Sequence, residues 1–185
     1  MIINFTIKRV VNVSKVVCLW NTWDHEHLYY VHRQFGNAKM MYEDSKVAFI
    51  RTTVKLPFLP IYVNCLHTMT SIKNDNVLVI DALPFGVISK LEMIYNEIDP
   101  RTTELVNNYS LDVPVIFYPF KDLICRVITR WNDVNWEEDL PLKMRRQLAI
   151  DSNFVDFYGK SDKAVEASKQ LKLPIPRTKD SILNN

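Results

Sequence analysis

Three of the chain's four histidines, His25, His27 and His32, fall within the short segment Trp20-Asn21-Thr22-Trp23-Asp24-His25-Glu26-His27-Leu28-Tyr29-Tyr30-Val31-His32. Imidazole nitrogen is a favoured ligand for iron, zinc and copper, and two histidines with one carboxylate on one face of an ion leave positions open for oxygen or substrate. The segment is therefore a candidate metal centre, and two pairings are open. At about 100° per residue, His27 and His32 would stand about 140° apart on a regular helix, so the segment must kink or unwind to bring them together. His25 and His32 are seven apart and share one face of a straight helix. Against both stands the ordinary role of histidine as a hydrogen-bonded structural residue. The fourth, His67, falls on the apolar face of a strand and is expected as a core histidine rather than a ligand.

The elements that must position these residues follow from periodicity. Residues 4–11 alternate well enough to read as a first strand. From Ser14, an N-cap residue, to Gly36 the apolar spacing suits one or two helices ended by a glycine. Turn signals at Glu43-Asp44-Ser45, Pro57 to Pro60, Lys73 to Asn76, Pro84-Phe85-Gly86 and Asp99-Pro100 then divide a long stretch into about six strands. One dry face carries Ala48, Ile50, Thr52, Val54 and Leu56, then Ile61, Val63, Cys65, His67 and Met69, then Val87, Leu91, Met93 and Tyr95; Lys90, Glu92 and Asn96 face the other way. Near Phe120 the helical period returns, with a stripe of Ile124, Val127, Ile128, Trp131 and Val134 that continues in Leu142, Met144 and Leu148. Pro141 should bend this helix beside Glu138 and Asp139. Residues 1–155 are expected to form one domain and 156–185 a loosely packed tail.

Strand, short helices, antiparallel meander and long C-terminal helix are the helix-grip order, and the chain resembles the START and Bet v 1-like proteins over roughly residues 1–155. That resemblance implies an α+β fold, a curved sheet around the helix with an apolar cavity between them. A second resemblance is narrower. Asp24-x2-His27-x4-His32 matches a pattern in the catalytic domains of Rieske-type non-haem iron oxygenases, which share the helix-grip fold, and Trp136-Glu137-Glu138-Asp139 followed by Arg145-Arg146-Gln147 is similar to that family's C-terminal helix. It implies His27, His32 and Asp139 as metal ligands, and Asp24 as an outer carboxylate that orients a ligand and relays electrons. It also implies Fe(II), with Zn as the alternative, and oxygenase-like chemistry on an apolar or aromatic substrate. The chain lacks the paired Cys-x-His motifs of a Rieske cluster, so electrons would come from a separate ferredoxin-like protein. Where that family often has a further acidic residue four positions before the motif aspartate, this chain has Trp20, with Asn21 beside it. The alternative is a metal-free START-like binding protein or cyclase for an apolar ligand.

Composition bounds these readings. The 185 residues, 48% apolar and 24% charged, suit one globular domain. The net charge of +2 is scattered and leaves no polyanion footprint, so no nucleic-acid partner is expected. The longest apolar runs are a handful of residues, far short of the roughly 20 that cross a bilayer. The N-terminus reads as no secretory leader, so the expectation is a cytoplasmic protein without membrane association, its oligomeric state open. Cys18, Cys65 and Cys125 suit neither a disulfide framework nor a paired-thiol site and are expected as buried hydrophobes. Glu137 and Glu138 flank Asp139, and one could replace it as a ligand; Lys143, Arg145 and Arg146 read as the wet face of the helix. Trp20, Trp23, Tyr29, Tyr30, Phe35, Trp131 and Trp136 bracket the site, as core or as pocket walls.

Overall fold

The computed structural model describes residues 1–25, 27–55 and 61–151. Its strands are β1 (Ile2–Val11), β2 (Phe35–Glu43), β3 (Val47–Lys55), β4 (Tyr62–Ser71), β5 (Val77–Ala82), β6 (Ile88–Asp99) and β7 (Thr102–Asp112), in one antiparallel sheet of order β1-β7-β6-β5-β4-β3-β2. Six strands thus run as a meander, and the first returns to pair with the last. The period-two pattern sets which face is dry: Ala48, Ile50, Thr52 and Val54 are all buried, and so are Cys65, Met69 and Tyr95 on neighbouring strands. Leu56, expected on the same face, lies outside the described residues, as does the turn at 57–60.

Two helices, α1 (Lys15–Trp23) and α2 (His27–Val31), carry the chain from β1 at one edge of the sheet to β2 at the other. Ser14 caps α1 as its sequence position predicts, its Oγ accepting the Val17 N–H at 3.4 Å. Gly36 does not end a helix. It lies inside β2, where a Cβ would stand 2.7 Å from the Tyr62 ring and 2.9 Å from Thr53 Oγ1, so its smallness serves a close approach between strands.

The last element, α3 (Lys121–Asp151), stays helical through Pro141. Its first half packs as expected, with Ile124 and Ile128 against Ile3, Leu111 and Val113. Its second half inverts the expected stripe: Met144 and Leu148 are exposed, while Asp139, Lys143, Arg146 and Gln147 are buried. A second core, centred on Val17, Ile50, Met69, Val79 and Tyr95, packs against Trp136 and Ile150 of the same helix. Between the two cores lies a cavity of about 620 Å³ lined by residues of both. The sheet and long C-terminal helix form the α+β helix-grip fold. Among the described residues no helix is long and apolar enough to cross a membrane. Residues 152–155 of the expected domain and the expected tail at 156–185 lie outside the described residues.

Candidate metal centre and its cavity

The convergence of His27 and His32 depends on where α1 stops. Asp24 caps its C-terminus, the Asp24 N–H donating to the Trp20 carbonyl at 3.0 Å, and the chain turns at His25 before restarting as α2. This second helix is a single turn with His27 as its first residue and His32 just past its last. The 140° separation of a continuous helix is thereby removed, and the two rings stand 5.1 Å apart, edge to face. His25 points elsewhere. It meets Trp23 edge-on and places Nε2 3.9 Å from Glu43 Oε1, so the rival pair His25 and His32 is not formed.

From α3 the Asp139 carboxylate completes the group. Its Oδ1 lies 3.4 Å from His27 Nε2 and 3.2 Å from His32 Nε2. His27, His32 and Asp139 each offer one ligand atom within 4.8 Å of the others, and all three residues are buried. Ligand atoms bonded about 2.1 Å from one ion at octahedral or tetrahedral angles stand roughly 3.0–3.4 Å apart, so the carboxylate–imidazole spacings suit a shared ion.

The protons on the two imidazoles are set from behind. His27 Nδ1 faces the Asp24 main-chain carbonyl, which only accepts, so this nitrogen carries the ring proton. His32 Nδ1 donates to Glu138 Oε2 at 3.2 Å. In the neutral form both rings turn an Nε2 lone pair toward Asp139 Oδ1, a buried oxygen with no aligned hydrogen bond. Burial pushes the His27 pKa down, against the pull of Asp139, and favours that neutral form. For Asp139, burial pushes the pKa up, but His32, Lys143 and His27, the two histidines only once protonated, outweigh it and hold the carboxyl well below its usual range. Two lone pairs and an ionised oxygen facing one another leave an electron-rich centre that a cation would complete.

The other carboxylate oxygen is fully engaged. Asp139 Oδ2 accepts from Asn21 Nδ2 at 2.9 Å and from Lys143 Nζ at 3.0 Å. Asn21 Oδ1 in turn accepts from Arg146 Nη1 at 2.7 Å, and Arg146 Nη2 pairs with the Asp24 carboxylate. Lys143 and Arg146 are thus not the wet face of α3. Both are buried, Lys143 lying 3.5 Å from the centre of the Trp136 ring and Arg146 4.4 Å from that of Trp20. Arg145 alone of the three cations is exposed. Asp24 orients His27 through its main chain, while its side chain anchors Arg146. Of the two glutamates, Glu137 is exposed and Glu138 holds His32.

Asn21 and Lys143 are the contributors sequence reading did not assign. Their signal was present in part: Asp139, Lys143, Arg146 and Gln147 are spaced to share one helical face. The centre sits in the wall of the cavity, beside Phe35, Trp131 and Trp136. Trp23 is core, Tyr30 is exposed, and the Tyr29 side chain lies outside what is described. His67 also lines the cavity while hydrogen-bonded to Asp81. Cys18 and Cys65 are buried and Cys125 half-buried, all three as free thiols.

No known family's sequence profile matches the chain, and no curated protein matches it in sequence. Solved structures do match in shape. The Zhui aromatase/cyclase of a Streptomyces species superposes with a TM-score of 0.67 at 10% identity, over 79% of this chain and 96% of that one. The di-domain ARO/CYC StfQ of the steffimycin biosynthetic pathway gives 0.69 at 9% identity over 79% of this chain, which spans about half (52%) of that protein. Norcoclaurine synthase from Thalictrum flavum gives 0.54 at 9% identity, over 73% of this chain and 85% of that one. At these identities the likeness is one of fold.

Proposed function

We propose that the chain binds an apolar small molecule in its cavity and holds one divalent ion, Fe(II) or else Zn, at His27, His32 and Asp139 in the cavity wall. The observation that carries the metal is the pair of imidazoles whose Nδ1 protons are committed to Asp24 and Glu138, both Nε2 atoms facing the same oxygen of Asp139. Two imidazoles and one carboxylate are the donor set of non-haem iron centres, and such an ion, when bound, supplies open coordination positions for oxygen or substrate. The chain's own residues do the rest. Lys143 and Asn21 fix the Asp139 carboxylate by its far oxygen, and aromatic and aliphatic side chains line the cavity beside it. An oxygenase-like reaction on an aromatic or otherwise apolar substrate fits this setting, with electrons from a separate ferredoxin-like protein.

A second reading has its own support. The structural neighbours include two aromatase/cyclases and norcoclaurine synthase, which favours a metal-free binding protein or cyclase using the same cavity. One scaffold hosts many functions, so the site has to decide. The test is elemental analysis of anaerobically purified protein beside a His27→Ala, His32→Ala double variant. About one equivalent of metal in the parent and none in the variant is expected. Equal, negligible metal in both, with an organic ligand copurifying in native mass spectrometry, would replace the first reading by the second.

A further inference from the structure

A second polar station lies on the sheet side of the cavity, apart from the helical elements that carry the metal ligands. Strand register builds it. Ile50, His67, Asp81, Ser89 and Leu111 are successive cross-strand partners from β3 to β7, one inward-facing row whose middle three members are polar. His67, Asp81 and Ser89 all line the cavity. Within the row the Nδ1 of His67 donates to Asp81 Oδ1, and the Cys65 thiol lies 3.8 Å from the same oxygen.

That contact fixes the ring. Asp81 can only accept, so Nδ1 carries a proton, and in the neutral ring Nε2 offers a lone pair with no partner among the described residues. Apolar side chains at both positions would complete the wall without desolvating a carboxylate, so packing of the sheet does not require this pair. An acceptor on an apolar wall is what a hydroxyl-bearing ligand needs, because that hydroxyl would otherwise be buried unpaired.

We propose that His67, oriented by Asp81, is the hydroxyl-binding station of the cavity, selecting an aromatic or polycyclic ligand that bears a phenolic or enolic O–H. The ligand hydroxyl donates to Nε2. Where the hydroxyl is acidic enough, its proton passes to that nitrogen, leaving a ligand oxyanion beside an imidazolium whose charge the Asp81 carboxylate balances. His67 touches the ligand, and Asp81 is a positioning residue that acts through it. This rests on the reading of the cavity as a small-molecule site and deepens it to a substrate class, independently of the metal.

The probes are 2-naphthol and naphthalene, which differ by the one hydroxyl. Titrated into the full chain, His67→Phe and the milder His67→Gln should each weaken 2-naphthol at least fivefold while leaving naphthalene within twofold. Asp81→Asn should weaken 2-naphthol by less. In the parent protein the His67 Nε2 resonance in nitrogen-15 NMR should move with 2-naphthol and stay with naphthalene. Equal weakening of both probes, a stationary Nε2 signal, or hydroxyl selectivity that is lost with His27→Ala rather than with the His67 variants would overturn the proposal. Failure of both probes to bind the parent would overturn the cavity reading with it, whereas naphthalene binding without hydroxyl selectivity would sink the His67 assignment alone.

Discussion

His27 and His32, the two imidazoles proposed as ligands, are each oriented by a different partner, one main-chain and one side-chain. That difference is testable. Glu138→Leu removes the acceptor that holds His32, so metal affinity should fall by about 10–100-fold, as is usual when the partner of a ligating imidazole is lost, and Glu138→Gln, which keeps an acceptor oxygen, should lose less. Competition with a chromogenic chelator would measure it. His25, although not in the metal group, makes its own prediction. Burial pushes its pKa down from 6.5 to about 4, with His67 and His27 nearby acting in the same direction. The unfolded chain therefore binds a proton near pH 6.5 that the folded chain refuses until about pH 4. Stability should be level above pH 6.5 on this account and fall on acidification through that window, by about 3 kcal/mol in total from His25. Urea midpoints across pH 4–7 should show that fall, and His25→Gln should reduce its slope by about one proton.

At the scale of elements, what the sequence made legible was alternation and interruption. The dry faces of β3, β4 and β6 follow from period two, and the break between α1 and α2 follows from the demand that His27 and His32 meet. The second half of α3 was misread for a physical reason. Hydrophobic patterning assumes that the buried face is the apolar one, and here the apolar Met144 and Leu148 face outward so that Asp139, Lys143, Arg146 and Gln147 can face in. Such an inversion is expected where a local rule yields to a functional site. Asn21 joins α1 to α3 by bonding both Asp139 and Arg146, a contact between residues far apart in sequence that no spacing rule reveals. It follows that Arg146→Met, which strands the Asn21 oxygen and the Asp24 carboxylate, should cost about 3 kcal/mol, whereas Arg145→Met at the exposed neighbouring position should cost within about 0.5 kcal/mol. Thermal or urea unfolding of the two variants side by side distinguishes this from a uniformly solvated helix face.

For the whole molecule, the helix-grip fold and its cavity were legible from element order, because strand, short helices, meander and long helix leave few other ways to bury their faces. The cavity's two polar stations were legible only in part. The set His27, His32 and Asp139 follows from the motif resemblance rather than from residue spacing alone, and the His67–Asp81 pair needed the register that sets β4 against β5. The division of the core into two packed regions with a void between them comes from neither pattern nor composition; it is a product of how the sheet closes on α3. The most direct test of the account is anomalous scattering from a crystal grown and soaked anaerobically with Fe(II). One anomalous peak per chain is expected, about 2.1 Å from His27 Nε2, His32 Nε2 and Asp139 Oδ1 together, at a distance typical of such ligands. Well-ordered side chains at those three positions with no peak between them, or a peak bound elsewhere, would contradict it.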